Sequence, residues 1–391
     1  MRAHWWPAVA QVTRLTGDLG LAEDSVQEAC LAAVQQWSDG VPADPRAWLV
    51  ATARHKALDQ VRREAARPAK EAEAVRVLAM PSGPSDESAT TAVDQLGLIF
   101  LCCHPALDQD SRVALTLRAV CGLTTAQIAS AFLVPEPTLA KRLVRARRKI
   151  KEGVIPLRLP VPEELGRRLG AVLKVVYLVF TEGHRTVGSL SDTAIELARA
   201  LSGLLPGEPE VTGLLALLLL TDARRPARLD AAGNQVLLAD QDRSLYDRAL
   251  IAEGELLLEK ALYANRPGPY QIQAAIAACH ASAVVAADTD WREIAALYGE
   301  LLRHEPSPVH EANRAVAVAM VDGPAAGLAI LDSVVAHPRM ARWPQLHIAR
   351  AALLTQLRRL GEATEAYRQA LALGPSDAER AFIEGRLAND R

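Results

Sequence analysis

Seven basic side chains fall within the stretch PTLAKRLVRARRKIKE, residues 137–152. Positive charge at this density suits contacts with nucleic-acid phosphates, and arginine can also make bidentate contact with the edge of a guanine. The whole chain has a formal net charge of only −2, so the positive charge is a local feature. An apolar stripe with helical spacing predicts a helix with a cationic outer surface: Leu139, Leu143, Ala146 and Ile150.

The preceding segment, GLTTAQIASAFLVPE, predicts a helix and a turn. Thr124 or Thr125 suits the N-cap, and residues 133–136 form a short turn into the basic helix, where Pro137 suits the first turn. A helix, a turn and a second helix with a basic outer face make a helix-turn-helix, whose second helix reads the major groove. A solvated amphipathic helix is the alternative interpretation, because most charged runs are only that.

The residues that could contact DNA divide along the predicted second helix. Those near its start are expected to reach base edges and phosphates: Thr138, Lys141, Arg142 and Arg145. Arg147, Arg148 and Lys149 lie further along and are expected to contact phosphates, with a solvated helix end as the competing interpretation.

The composition is typical of a mainly helical protein, since half of the 391 residues are hydrophobic and only 4% are aromatic. In the segment DQDRSLYDR the acids do not form paired carboxylates with a metal-ligand pattern. We find no Ser-His-Asp arrangement and no Gly-rich phosphate loop in the sequence. Packing between repeats explains that segment better, and we expect neither an enzyme nor a bound cofactor.

Five scattered cysteines, an odd number, do not predict a disulfide framework. Cys102 and Cys103 precede His104, but no second pair of ligands lies nearby, so core packing is favoured over a metal site. No signal peptide opens the chain, and the longest apolar run, residues 214–220, is too short to cross a bilayer. We therefore expect a cytoplasmic protein with no membrane partner.

Changes in composition divide the chain into blocks. A linker rich in Ala, Pro, Ser and charge is predicted at 71–91, between a first helical block, 1–70, and a second, 92–153, that carries the helix-turn-helix. Three prolines at 154–162 mark the next boundary, and a long helical block occupies 163–391.

The last block ends in a degenerate repeat. Six residues occur at the spacing of the tetratricopeptide (TPR) signature positions: Ala351, Leu354, Ala363, Tyr367, Ala370 and Pro375. Part of the pattern occurs 37 residues earlier: Ala326, Ile330, Ser333 and Pro338. Stacked helical hairpins of this kind leave a surface that could bind a protein partner.

The first block contains two predicted helices of opposite charge. Residues 19–37 carry a polar surface: Glu23, Asp24, Gln27 and Glu28. Residues 44–64 begin at Asp44 as the cap and Pro45 in the first turn, with a polar face that is mainly basic: Arg54, His55, Lys56, Asp59, Arg62 and Arg63. Trp48 could be a core residue or a wedge between bases, and core is the commoner role.

Together these segments resemble a bacterial sigma factor of the extracytoplasmic-function (ECF) type. AEDSVQEACLAAVQQW is similar to the region 2.2 helix, PRAWLVATARHKALDQVRR to regions 2.3 and 2.4, and the helix-turn-helix to region 4.2. YLVFTEGH and LLLLTDARRPAR resemble the extension of one ECF group that carries TPR-like repeats. The resemblance implies an all-α protein with two small helical sigma domains followed by a TPR-like domain.

The resemblance also implies core RNA polymerase and promoter DNA as partners. It assigns polymerase binding to Asp24, Gln27 and Glu28, which would otherwise be ordinary helix-surface residues. It assigns contact with the −35 element to five candidates on the basic helix: Thr138, Lys141, Arg142, Arg145 and Arg147. It assigns binding of a flipped base of the −10 element to the loop 38–44. Contact with the rest of the separated −10 strand is assigned to six residues: Trp48, Arg54, His55, Lys56, Arg62 and Arg63.

The expected function is a non-enzymatic subunit that directs core polymerase to promoters, with a C-terminal domain that modulates activity. The main alternative is a helix-turn-helix regulator whose repeats sense a ligand or a protein. A third is a TPR scaffold whose basic helix binds RNA or an acidic protein. The first block favours the sigma factor, because a regulator has no use for a second DNA-reading helix behind an acidic one.

Overall fold

The computed structural model describes the chain except for residues 1, 38–39, 66–86, 133, 154, 156, 186–189, 231–235, 338–339 and 390–391. The side chains of 2–3, 63–65, 87–90, 184–185, 377 and 389 also lie outside the description. Every regular element in the described part is a helix, which confirms the all-α prediction. The helices form two compact units, Met1–Ala200 and Leu201–Arg391.

The first unit contains the sigma-like blocks. Its helices are α1 (Arg2–Thr16), α2 (Leu19–Gln36), α3 (Pro45–Ala65), α4 (Glu87–Cys102), α5 (Gln109–Leu115), α6 (Thr125–Ala131), α7 (Glu136–Glu152), α8 (Pro162–Arg185) and α9 (Leu190–Leu204), whose last turn passes into the second unit. A π-helical turn, Thr116–Val120, continues α5.

Helices α1 to α3 pack around one apolar core. Gly17 has a φ of 68° and ends α1, and Asp18 caps α2 by accepting a hydrogen bond from the backbone N of Leu21 at 3.1 Å. Small and aliphatic side chains on the inner faces let α2 and α3 approach closely: Ala22, Val26, Ala29, Ala33, Leu49, Ala53 and Ala57.

The predicted helix-turn-helix is present as α6 and α7. Thr124 caps α6 in a capping box with Gln127, in which each side chain accepts a hydrogen bond from the other residue's backbone N–H. Helix α7 begins at Glu136, and its four-residue apolar stripe is buried as predicted. Cys102 and Cys103 are also buried, at the end of α4, in agreement with the packing interpretation.

Two tryptophans of α1 connect it to the block that carries the helix-turn-helix. Trp5 donates its indole N–H to the carbonyl oxygen of Ala119 at 3.0 Å, and Trp6 donates to that of Gln95 at 3.1 Å. A Cβ at Gly122 would lie 3.0 Å from the Trp5 ring, so the chain passes close to this indole where only glycine fits without displacement. Helix α1 therefore packs against both blocks of the first unit.

Two predicted boundaries differ from the structure. Most of the linker 71–91 lies outside the described residues, but its last five positions already belong to α4. The block 163–391 is divided, because α8 and most of α9 belong to the first unit. Arg168 on α8 donates to the carbonyl oxygen of Phe100 at 2.8 Å, so this helix extends the packing around α4.

The second unit is a series of paired helices. They are α10 (Pro209–Asp222), α11 (Arg248–Leu262), α12 (Pro269–Ser282), α13 (Trp291–His304), α14 (Pro308–Asp322), α15 (Pro324–Val335), α16 (Pro344–Gln356), α17 (Leu360–Ala372) and α18 (Asp377–Asn389). Five residues of the last predicted TPR-like repeat are buried in one core between these helices: Ala351, Leu354, Ala363, Tyr367 and Ala370. Pro338 lies outside the described residues.

Replacing Gly327 should destabilise the second unit. A Cβ at this position of α15 would lie 2.5 Å from the carbonyl oxygen of Ala315 and 2.5 Å from Cβ of Ala319 on α14. Because the two helices would have to separate, we expect Gly327→Ala to lower the free energy of unfolding by about 1–3 kcal/mol, measured by urea unfolding of the full chain.

The matched control is Gly299→Ala in α13, where a new Cβ meets nothing within 4 Å. This substitution should leave the free energy of unfolding unchanged or raise it by up to about 1 kcal/mol, because alanine has the higher helix propensity. Equal destabilisation by the two substitutions would contradict the close approach of α14 and α15.

Candidate functional site

The outer face of α7 presents basic side chains to solvent. Thr138, Lys141 and Arg145 are exposed and lie within one arc of the helix, so the structure brings these three candidates together. Arg142 shares the arc but is half-buried, and its guanidinium pairs with the Asp110 carboxylate of α5 at 3.1 Å. This ion pair orients Arg142 at the edge of the face.

Arg147 points away from that face. At 100° per residue it lies about 180° around α7 from Thr138, and its guanidinium forms an ion pair with the carboxylate of Glu23 on α2. Arg148, which is exposed, lies on the side of the helix where Arg147 was expected. Assignment of Arg147 to DNA stays a prediction, and it requires the pair with Glu23 to separate.

Glu23 is a residue whose place the sequence interpretation missed. The sequence predicts it on the polar surface of α2, but its side chain is fully buried. The signal was present in the spacing, because Glu23 lies four residues after Leu19 and three before Val26, on the apolar stripe of the helix. Because Glu23 is a charged residue type, its position on the apolar stripe was not recognised as a core position.

The remaining polar candidates of α2 form an exposed face. Asp24, Gln27 and Glu28 all lie on it. Two apolar residues that sequence reasoning did not select continue the same face, with Leu31 61% and Val34 70% exposed. Large exposed aliphatic side chains beside acids suit a protein partner better than a nucleic acid.

The candidates on α3 lie along its polar side. His55 and Arg62 are exposed, and Arg54 is half-buried. Lys56 donates to the Glu28 carboxylate of α2 at 3.1 Å, so the proposed polymerase and −10 surfaces adjoin at this pair. The side chain of Arg63 lies outside the described residues.

Trp48 belongs to an aromatic pair. Its ring packs edge-on against Trp37, with ring centroids 5.4 Å apart, and Trp48 remains half-buried. Trp37 was not among the predicted residues, although it ends the acidic helix where the loop 38–44 begins. Residues 38 and 39 of that loop lie outside the described part, so the predicted base pocket is not delineated.

Three polar contacts join α2 to the helix-turn-helix block, and we call them the α2/α7 contact. Besides the pair of Glu23 and Arg147, Lys151 of α7 donates to the Asp18 carboxylate at 2.7 Å. Arg118, in the π-helical turn, donates to the Gln27 side-chain oxygen at 2.8 Å. A candidate polymerase residue, Gln27, and a candidate DNA residue, Arg147, are therefore both engaged within the chain.

Burial dominates the electrostatics of Glu23. It raises the pKa of this carboxyl to about 7, although the nearby charges of Arg147 and Arg118 favour the ionised form. The Asp18 carboxyl behaves in the opposite way, because the hydrogen bond from Lys151 and backbone N–H donors hold its pKa below the ordinary value despite partial burial.

Comparison with known proteins identifies the two blocks of the first unit. Residues 7–67 match the family model for sigma-70 region 2, and residues 97–150 match that for sigma-70 region 4. A probable ECF RNA polymerase sigma factor, SigI of Mycobacterium tuberculosis, is 30% identical over 160 residues, which cover 39% of this chain and 54% of that protein. This chain is a homologue of the ECF sigma factors.

The similarity extends beyond the sigma domains. An uncharacterized protein of Rhizobium meliloti, R00370, is 42% identical over 393 residues, which cover 97% of this chain and 92% of that protein. Residues 168–262 match a family of unknown function, DUF6596. The sigma-factor homologue therefore carries a C-terminal extension that it shares with a relative over nearly its full length.

One solved structure, the TPR domain of P58(IPK), aligns with 93% of the chain at 14% identity. Its TM-score of 0.28 is too low to carry an argument, so the TPR-like description depends on the helical hairpins themselves. In the ranges that the structure describes, no helix combines the length and apolarity that a membrane span needs.

The α2/α7 contact should weaken as pH rises. A raised pKa means that buried Glu23 holds its proton more tightly than an exposed carboxyl, whose ordinary pKa is 4.5. The contribution of Glu23 to the contact is therefore fully present below about pH 4.5 and is lost as pH rises through about 7. Energy transfer between dyes attached through unnatural amino acids at the exposed positions 34 and 144 should fall over this interval.

Glu23→Gln provides the control, because an amide does not titrate in this range. Its transfer efficiency should change little between pH 5 and pH 8. The same slope in both proteins would assign the pH dependence to another group.

Proposed function

We propose that this chain is a promoter-specific sigma factor that recruits core RNA polymerase, supports strand opening and is modulated by its C-terminal extension. One observation supports the proposal: this homologue of the ECF sigma factors has two exposed faces of different character. The face on α2 is acidic and apolar, and the face on α7 is basic. Sigma factors are not enzymes, and we propose no catalytic role.

The two DNA surfaces have different physical tasks. On α7, Thr138, Lys141 and Arg145 are placed to enter a major groove and contact the −35 element. Helix α3 carries Trp48 near its start and basic residues further along. Both suit a separated strand, because positive charge follows the backbone and aromatic rings stack with unpaired bases.

The α2/α7 contact has a consequence for this mechanism. The −35 and −10 elements are separated by about 25 base pairs, or ~85 Å at 3.4 Å per base pair along one strand. Helices that touch through Glu23 and Arg147 do not span that distance, so the two sigma domains must separate before one molecule engages both elements. We therefore infer that polymerase or DNA binding opens the α2/α7 contact and releases Arg147 and Gln27.

The helix-turn-helix regulator remains the second candidate, and binding to core polymerase separates the two. Full-length protein should retain purified core polymerase in a pull-down and should bind promoter DNA tightly only in its presence. Specific DNA binding at physiological salt without polymerase, together with no retention of core, would favour the regulator.

The exposed apolar residues of α2 should contribute to polymerase binding. We expect Leu31→Ser to lower the affinity for core polymerase about tenfold, because a large buried side chain at an interface contributes more than 1 kcal/mol when it is a hot spot. Titration of labelled protein with core measures the effect. Leu256→Ser on α11, where the side chain is 67% exposed, is the control and should not change affinity.

The exposed arginine of α7 should contribute to promoter choice. Arg145→Ala is expected to cost about 1–3 kcal/mol at a cognate −35 element, seen as reduced open-complex formation at that promoter. Arg303→Ala, which removes an exposed arginine of the second unit, should have no effect. An equal loss on promoters with altered −35 sequences would assign Arg145 to a phosphate contact.

A further inference from the structure

The second unit contains three basic residues whose position the sigma domains do not explain. Arg224 follows the end of α10, Arg243 begins the 3-10 turn Arg243–Leu245, and His280 lies in the last turn of α12. We call these three residues the basic cluster.

Arg243 has a structural role that accounts for only part of its side chain. It is 5% exposed, and its Nη1 donates to the carbonyl oxygens of His280 and Ala283 at 2.9 Å each. Its Nη2 donates to Oγ1 of Thr289 at 3.1 Å. These bonds satisfy carbonyl groups at the end of α12, but the buried Nε has no partner.

The other two members of the cluster also carry buried nitrogens without partners. Nε of Arg224 and Nδ1 of His280 form no hydrogen bond. The His280 ring is fixed edge-on against Trp291, with centroids 5.3 Å apart. Because a buried polar nitrogen without a hydrogen-bond partner is costly, three such nitrogens from three segments indicate a missing hydrogen-bonding group.

Negative charge is also missing around the cluster. Among the described residues, neither Arg224 nor Arg243 forms an ion pair, and the nearby carboxylate of Asp222 is paired with Arg225 at 2.6 Å. Residues 231–235, AAGNQ, contain no acid that could supply it. Burial and the charges of Arg224 and Arg243 lower the pKa of His280 to about 4, and burial lowers the pKa of Arg224.

We propose that the basic cluster binds a small oxyanion, the phosphate or carboxylate group of a small molecule, between Arg224, Arg243 and His280. Such a group accepts hydrogen bonds from the unpartnered nitrogens and supplies the missing negative charge. The Tyr246 ring, which lies 5.9 Å from the Arg243 guanidinium carbon, provides an apolar wall. Capping of α12 explains the two Nη groups of Arg243, but it does not explain its Nε or the second arginine beside it.

The site would give the C-terminal extension a ligand of its own, independent of the proposed promoter function. Its three nitrogens come from the residue that follows the C-cap of α10, the turn at Arg243 and α12, so a bound anion would join separate segments of this unit. A ligand that binds only the folded arrangement stabilises it by mass action.

Calorimetric titration of the full chain with sodium phosphate, and separately with sodium citrate, tests the proposal at constant ionic strength set with sodium chloride. We expect saturable binding in at least one arm, and the arm that binds distinguishes phosphate from carboxylate recognition. Arg224→Gln should weaken that binding at least tenfold. Arg303→Gln, which changes an exposed arginine paired with Glu300, should leave it unchanged.

The His280 ring provides a second readout that a structural role would not move. In NMR titrations, the bound anion should raise the pKa of His280 from about 4, and this shift should disappear in Arg224→Gln. If that variant loses its helical circular dichroism, Arg224→Lys replaces it and should also weaken binding, because lysine lacks the planar fork. No saturable heat in either arm, or equal affinity in the folded variant and the original protein, would overturn the proposal.

Discussion

The burial of Glu23 against Arg147 is the constraint on which the arrangement of the first unit depends. A fully buried carboxylate is unfavourable unless a charge partner or a proton neutralises it, and here the partner is 124 residues away in the sequence. Helix α7 must therefore lie over α2 for Glu23 to be buried. The tryptophans of α1 support the same arrangement by hydrogen bonding to the block that carries the helix-turn-helix.

In this arrangement, the proposed partners, core polymerase and promoter DNA, compete with the α2/α7 contact for the same side chains. Gln27 is engaged by Arg118 and Arg147 by Glu23, whereas Arg145 and Leu31 remain available to a first encounter. A partner that binds the separated domains shifts the equilibrium only by its preference for that state. The strength of the α2/α7 contact thus sets how much binding free energy is used to open the protein.

Packing in the second unit depends on small residues between its helices. Small residues such as Ala315, Ala319 and Gly327 allow its helices to approach closely, which suits stacked hairpins. Arg243, which is buried, and Arg224, whose Nε is buried, place positive charge within this packing at the ends of helices. The segment DQDRSLYDR, for which the sequence predicts packing between repeats, therefore also contains a buried arginine with an unpartnered Nε, Arg243.

The helices, the order of the blocks and the helix-turn-helix could be predicted from local features of the sequence, such as the cap Thr124 and the apolar spacing of α7. The sequence also identified the exposed candidates Thr138, Lys141 and Arg145, which follow from the helical period alone. Which charges are buried depends on the tertiary structure. The sequence predicts Glu23 and Arg147 at the surface, and the structure packs them against each other, because burial depends on elements that meet from distant parts of the chain.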